Sequence, residues 1–255
     1  MLLAIDLGNT NTVVGVYDGE RLVMHWRLST QKDRTVDEFG ILLRNLFALE
    51  RIDAQKIRKV IIASVVPPLD PVLNEMAVSY FSVKPIFVTH ENAGIPVLYD
   101  DPREVGADRI VNAVAAIHKY GKPAIVVDFG TATTFDVITA AGEYRGGLIA
   151  PGVVISAEAL YEHAAKLPRI EIQKPAKLVG TSAITSMQSG LFYGYVALVD
   201  GIITRLKDEL GQTARVIGTG GQASLISPET KLIETVDSNL TLDGLQLVAS
   251  RLFRR

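Results

Sequence analysis

Two acids, Asp6 and Asp128, each end an apolar run. Each is followed by one residue, a glycine and a set of small hydroxyl or amide side chains, in AIDLGNTNT (4–12) and VVDFGTATT (126–134). Gly8 and Gly130 carry no Cβ, so backbone N–H groups there can approach phosphate oxygens, while Asn9, Thr10, Thr12, Thr131 and Thr133 offer side-chain donors. Turns of this composition make a phosphate clamp. Bare carboxylates would repel phosphate, so Asp6 and Asp128 imply cations between acid and anion: Mg²⁺, usually through water, or a monovalent ion. The reaction class that follows is metal-assisted phosphoryl transfer. A single copy would read as an ordinary solvent hairpin. Two matched copies favour the chemistry.

A third glycine-rich segment, ARVIGTGGQAS (214–224), runs from an apolar stretch into Gly218, Gly220 and Gly221 and then a helix start. Glycines there let a flat base or ribose lie against the backbone, and the following N–H groups favour an anion. Alone it is a common connection; beside two phosphate turns it reads as an adenosine site. In EVGADRIVNAVAAIHKY (104–120), Asp108 and Arg109 sit in the first turn of an amphipathic helix. Helix capping accounts for the acid, but an arginine there opposes the helix dipole. An acid that takes a proton, beside an arginine that grips a carboxylate, accounts for both.

The elements that carry these residues repeat. LLAIDLG, TVVGVYDG and RLVMHWRLS predict an antiparallel three-stranded meander. A helix follows in TVDEFGILLRNLFALE, where Thr35 and Glu38 have capping-box spacing and Phe39, Leu42, Leu43, Leu46 and Phe47 share one face. KVIIASVV (59–66) predicts a strand covered on both faces and stopped by Pro67 and Pro68. A helix at 69–81 and a strand at 83–88 come next. Then AIVVDFGTATTFDVITAAGE (124–143) restarts the layout of 3–20: Asp6 and Asp128, Gly8 and Gly130, and Thr12 and Thr134 are each 122 residues apart (128 − 6). Duplication on this scale predicts two similar α/β lobes, at 1–117 and 118–255, each a mixed sheet flanked by helices. Packed about a pseudo-twofold axis, such lobes would turn their first hairpins toward one cleft. Further helices are predicted near 152–165, 184–210 and 240–254, and strands near 214–218 and 231–236.

The totals restrict the partners. With 255 residues, 48% of them apolar, the chain can bury a large core. Its 26 basic and 28 acidic residues argue against nucleic acid or an anionic membrane as partner and favour a small ligand. The absence of Cys excludes disulfides and thiolate chemistry and fits a reducing compartment. MLLAIDLG reads as a first strand and not as a secretory signal, and no apolar run has membrane-spanning length, so a cytoplasmic protein is expected. Trp26 is assigned to packing, and His25, His90, His118 and His163 lack metal-ligand spacing. Met187, Leu191, Tyr195, Leu198, Ile202 and Leu206 mark one helical face, core or dimer seam.

An Asp-x-Gly-x-Thr turn in each half plus a C-terminal Gly-x-Gly-Gly resembles the ATP-binding set of the actin, sugar kinase and heat-shock chaperone superfamily. DLGNTNTV, VGADRIVNAVAA, VVDFGTATTFDVI, GGLIAPG, KLPRIE and SMQSGLFYG resemble the type III pantothenate kinases, over essentially the whole chain. The resemblance implies two ribonuclease H-like lobes with ATP in the cleft between them, and phosphorylation of pantothenate by ATP at the first step of coenzyme A synthesis. It implies that Asp108 accepts the proton of the substrate hydroxyl, and that Gly106, Ala107, Asp108 and Arg109 bind pantothenate together with Tyr99. Asp6, Leu7, Gly8, Asn9, Thr10, Asn11, Thr12 and Val13 would hold ATP, with Mg²⁺ at Asp6 through water. Thr131 would contact phosphate, and Asp128 a monovalent cation, K⁺ or NH₄⁺. A homodimer with substrate at or near the subunit boundary is implied too. One position departs: where the family has a threonine that binds pantothenate, this chain has Ala183, with Thr181 and Ser182 as neighbouring hydroxyls. Two rivals stay open: a kinase of another polyol or sugar acid, and a transcriptional accessory factor, which would need no Asp108 base.

Overall fold

The computed structural model describes residues 1–210 and 213–253; residue 254, the predicted end of the last helix, lies outside them. The chain forms two compact units. One takes Met1–Ile95, Asp100–Ala115 and the C-terminal stretch from Thr241; the other takes Pro96–Tyr99 and Ala116–Leu240.

The first unit opens with β1 (Leu2–Leu7), β2 (Asn11–Asp18) and β3 (Arg21–Ser29), followed by α1 (Val36–Leu49), β4 (Lys59–Ser64), α2 (Asp70–Phe81) and β5 (Ile86–Phe87). The sheet order is β3-β2-β1-β4-β5, with β1 to β3 antiparallel and β4 and β5 parallel to β1. The predicted capping box starts α1: Thr35 Oγ1 accepts the Glu38 N–H at 3.3 Å, and the Glu38 carboxylate accepts the Thr35 N–H at 2.8 Å. From that start Phe39, Leu43 and Phe47 point into the core, each contributing about 1.5–3 kcal/mol by burial. Trp26 stacks on Phe47 at 5.6 Å between ring centroids, as a packing residue should.

The second unit repeats the plan with β6 (Ala124–Phe129), β7 (Ala132–Ile138), β8 (Tyr144–Pro151), α4 (Val153–His163), α5 (Ala183–Leu210), β9 (Arg215–Thr219), α6 (Ala223–Ile226) and β10 (Thr235–Val236). Its sheet runs β8-β7-β6-β9-β10, strand for strand the order of the first. Helix α3 (Ala107–Tyr120) begins among residues of the first unit and ends among those of the second. The last helix, α7 (Leu240–Leu252), packs with the first unit. Leu242 fills the space that a side chain at Gly15 would need, and Tyr17 donates to Asp243 at 2.8 Å.

The 122-residue spacing holds up to the turns and then drops by one. Gly8 donates to the Asn11 carbonyl across a turn of three residues, whereas Gly130 donates to Ala132 across a turn of two, both at 3.0 Å. The counterpart of Thr12 is therefore Thr133, not Thr134 as the spacing predicts; both are buried, and Thr134 stands where the first unit has Val13. The strands predicted at 83–88 and 231–236 shorten to the two-residue edges β5 and β10. In α5 the buried stripe passes from Tyr195 to Val199 and Ile203, with Leu198, Ile202 and Leu206 flanking it. Among the described residues no helix is long and apolar enough to cross a membrane.

Candidate active site

In the first unit the predicted residues gather at the carboxyl ends of β1 and β4. Asp6 is half-buried one residue before the end of β1, and the following turn is held from behind. Thr30 Oγ1 donates to the Gly8 carbonyl at 2.7 Å and lies 2.8 Å from Thr12 Oγ1, while the Thr30 N–H donates to the Thr10 carbonyl. Asn9 and Thr10 are exposed at the tip. Thr12 is fully buried on Thr30 and Leu7 is core, so both shape the turn from inside, whereas Asn11 and Val13 keep partial access. Beside this turn the Val65 N–H donates to the Leu7 carbonyl at 3.0 Å, and the Val65 side chain lies close against Gly106. The chain thus sets the start of α3 next to the end of β4.

Asp108 occupies the first turn of α3 and accepts the Arg109 N–H through Oδ1 at 2.8 Å. The same oxygen comes 2.5 Å from where a Cβ on Gly106 would stand, so any side chain there would displace the Asp108 carboxylate. Burial pushes the Asp108 carboxyl above the ordinary carboxylate range, against the opposing pull of the Arg109 N–H and the Arg109 charge. Arg109 itself is buried. A cavity of about 540 Å³ opens beside Gly106 and Ala107 and is bordered by Ser64, Asp70 and His90. There Ser64 donates to Asp70 at 2.5 Å, and burial raises the Asp70 carboxyl although that bond lowers it.

In the second unit Asp128 lies one residue before the end of β6, with the 130–131 turn on one side and the end of β9 on the other. Gly220 has φ +93°, and a Cβ there would stand 2.3 Å from Asp128 Oδ1. The Gln222 N–H donates to the Phe129 carbonyl at 3.2 Å, which ties the glycine turn to β6. Gly152, the N-cap of α4, donates to the Thr131 carbonyl at 3.0 Å, so the opening turn of that helix stands against exposed Thr131, where backbone N–H groups suit an anion. Gly218 is buried inside β9 against Ser227 and Ile233, behind exposed Gly221.

Tyr99 is held in the second unit by strand pairing: Tyr144 donates to the Pro96 carbonyl and accepts the Leu98 N–H, both at 2.8 Å. Ala183 opens α5 at an exposed position and borders an apolar cavity of about 490 Å³ with Leu160, Met187 and Leu191. Ser182 Oγ accepts the Thr185 N–H at 3.2 Å, an N-cap bond, so that hydroxyl serves the helix. Among the described residues no three His, Cys, Asp or Glu side chains gather into a metal cage. One carboxylate per turn suits a cation shared with phosphate oxygens and water.

The family model described as type III pantothenate kinase matches residues 2–205. This chain belongs to the type III pantothenate kinases. It is 56% identical over 252 residues to a type III pantothenate kinase of Geobacter sulfurreducens, covering 98% of this chain and 99% of that one. With the enzyme of Koribacter versatilis it shares 52% over 262 residues, covering 98% and 96%. Among solved structures, one from Campylobacter jejuni described as a Baf family transcriptional activator has a TM-score of 0.64 at 18% identity, covering 99% of this chain and all of that one. The ROK hexokinase of Thermus thermophilus has a TM-score of 0.51 at 12% identity, covering 99% of each. At such identities these structures speak to fold alone, an α/β fold shared with a hexokinase.

Two further polar groups carry little signal in the sequence: Asp136, an acid within the largely buried strand β7, and Ser64 at the end of β4 with its partner Asp70 at the start of α2.

Proposed function

We propose that the two turn clusters and the head of α3 are the working parts of the family's reaction. The protein phosphorylates pantothenate with ATP, giving 4′-phosphopantothenate at the first step of coenzyme A synthesis. In our reading the pantothenate hydroxyl attacks the γ-phosphorus, the new O–P bond forms as the bond to the β-phosphate oxygen breaks, and ADP leaves. The hydroxyl proton passes to Asp108. The observation that carries this role is the desolvated Asp108 carboxyl at the head of α3, whose raised proton affinity makes it a better acceptor near neutral pH. Arg109 pairs with the pantothenate carboxylate, and Gly106, Ala107 and Tyr99 complete the substrate contacts.

Asp6 and the 8–11 turn would hold ATP phosphates, and Asp6 would hold Mg²⁺ through water, which would supply charge neutralisation for the phosphates. Thr131 and the 220–221 turn take phosphate and adenosine, and Asp128 takes K⁺ or NH₄⁺. The cradle at Gly220, which any Cβ would fill, supports a small cation beside Asp128. Bound cations would screen the phosphate charge so that the attacking oxygen can approach. In chain order the duplicated halves are assigned to 1–117 and 118–255, the last helix of the second half packing on the first unit. A second copy of the chain covers the apolar face around Ala183, where Leu160, Val179 and Ile184 are exposed, and substrate binds near that boundary. A cytoplasmic location accords with a chain free of cysteine.

Steady-state phosphorylation of a panel of hydroxy acids with ATP and Mg²⁺, in K⁺ and then in Na⁺, tests the reading. Turnover of pantothenate that drops when Na⁺ replaces K⁺ is expected. Turnover of another polyol in its place, or indifference to the ion, would overturn the acceptor or the Asp128 assignment respectively.

A further inference from the structure

Asp136 is a fully buried acid in the middle of β7 to which the reaction above gives no part. Both of its oxygens are engaged. Oδ1 accepts the hydroxyl of Tyr144 at 2.9 Å, a bond buried at both ends, and Oδ2 accepts the hydroxyl of Thr134 at 3.1 Å. Thr134 lies directly opposite Asp128 in the β6–β7 ladder. Tyr144 begins β8, and its backbone is the docking edge for residues 96–99: it donates to Pro96, accepts from Leu98, and pairs in parallel with Val97.

That short strap ends in Tyr99, whose ring covers Gly146 two residues beyond Tyr144. The ring carbons Cδ2 and Cε2 lie 3.3 Å from where a Cβ on Gly146 would stand, and Gly146 has φ +117°. The ring therefore rests on bare backbone, and its height above β8 is set by where β8 itself is held. A buried side-chain pair is a firm anchor for a strand, because no water competes for its hydrogen bonds. The counterpart of Asp136 in the first unit is Gly15, where α7 packs and no strap is carried.

We infer that Asp136 is a positioning residue for pantothenate recognition: through the Tyr144 hydroxyl it fixes the strand that carries the Pro96–Tyr99 strap, and so fixes the Tyr99 ring. Because Asp136 lies on β7, the Tyr144 bond ties β8 to the hairpin that carries Asp128, and the Thr134 hydroxyl, two residues back on the same strand, holds the carboxyl in place. The inference rests on the reading of Tyr99 as a substrate contact.

The test is a double-mutant cycle on Tyr144→Phe and Tyr99→Ala, with initial rates at saturating ATP and separate binding of a non-hydrolysable ATP analogue. Tyr144→Phe should raise the pantothenate KM by about fivefold to tenfold and leave kcat and ATP-analogue affinity within about twofold. Together with Tyr99→Ala, its effect should fall well short of the product of the single effects, because both act through one ring. A multiplicative cycle, or equal loss of both ligands' binding, overturns the inference and makes the pair an ordinary core contact. If Tyr99→Ala alone leaves the pantothenate KM unchanged, the reading of Tyr99 fails and the inference falls with it. A raised KM in Tyr99→Ala with none in Tyr144→Phe overturns the inference alone. Should Tyr144→Phe not fold, Asp136→Asn takes its place in the cycle under the same criteria.

Discussion

The hairpins that carry Asp6 and Asp128 share strand order, register up to the turn and a buried threonine just after it, yet their surroundings differ in two places. On β4 the residues opposite and just beyond Asp6 are Ala63 and Ser64; beside Asp128 the same places are taken by Thr219, the last residue of β9, and Gly220, the first after it. Ser64 closes its end of the sheet by bonding Asp70, and Val65 presses on Gly106 just before α3. At Gly220 the chain brings backbone alone against the Asp128 carboxylate. The second difference is Gly15 against Asp136, a void filled by Leu242 in one unit and a hydrogen-bonded acid in the other. A duplicated scaffold thus keeps its strands and diverges at the strand ends, the places to which the proposed function assigns acceptor in one unit and nucleotide in the other.

The comparison can be broken most severely by transplanting one difference. Gly15→Asp would bury a carboxyl against Leu242 without the tyrosine and threonine donors of its counterpart, and should cost about 3–5 kcal/mol in denaturant unfolding. A loss under 1 kcal/mol would mean the two sites are more alike than their packing indicates. Next comes the acceptor side. Asp108→Asn should lower kcat by about a hundredfold or more. In the wild type, kcat/KM should fall with acid through a pKa above the ordinary aspartate range, because the base must be ionised and burial opposes ionisation. The raised folded pKa also means that wild-type stability is fully present below the unfolded pKa and is lost as pH rises through the folded one. Asp108→Asn should therefore melt higher than wild type near pH 7, and this advantage should vanish at low pH.

On the nucleotide side, Gly220→Ala forces a Cβ toward Asp128 and strains a left-handed backbone. About a tenfold rise in the ATP KM is expected, with a weakened response to K⁺. An unchanged ATP KM would remove the 220 turn from the nucleotide site. The smallest effect belongs to Ser64→Ala. Losing its bond to Asp70 should cost about 0.5–1 kcal/mol at neutral pH. It also lets the Asp70 carboxyl rise further, so the deficit should shrink as acid protonates that group. A deficit that grows in acid would contradict the direction assigned to Asp70.

The two Asp-x-Gly turns, the helix that starts near Asp108 and the repeated element order were legible because their signals are local: an apolar strand, an Asp-x-Gly turn and a capping box occupy consecutive residues. Pairing Thr12 with Thr134 failed because a one-residue difference in turn length leaves the repeat intact on paper and moves every later residue to the other sheet face. Gly218 read like Gly220 in the sequence, but the strand runs through one and turns at the other. Asp136 escaped notice because its donors include Tyr144, eight residues on and beyond a turn, and single-strand patterning sees only an acid among apolar neighbours.

The return of α7 to the first unit bears on the order in which the protein comes to be. During synthesis the second unit can be complete once residue 240 has emerged, while the unit begun first still lacks Leu242 against Gly15 and Asp243 against Tyr17. The half translated first is thus the half finished last. A nascent chain stalled short of residue 241 should expose an incomplete N-terminal sheet to chaperones, and shortening the C-terminus should harm the unit that bears Asp6 and Asp108.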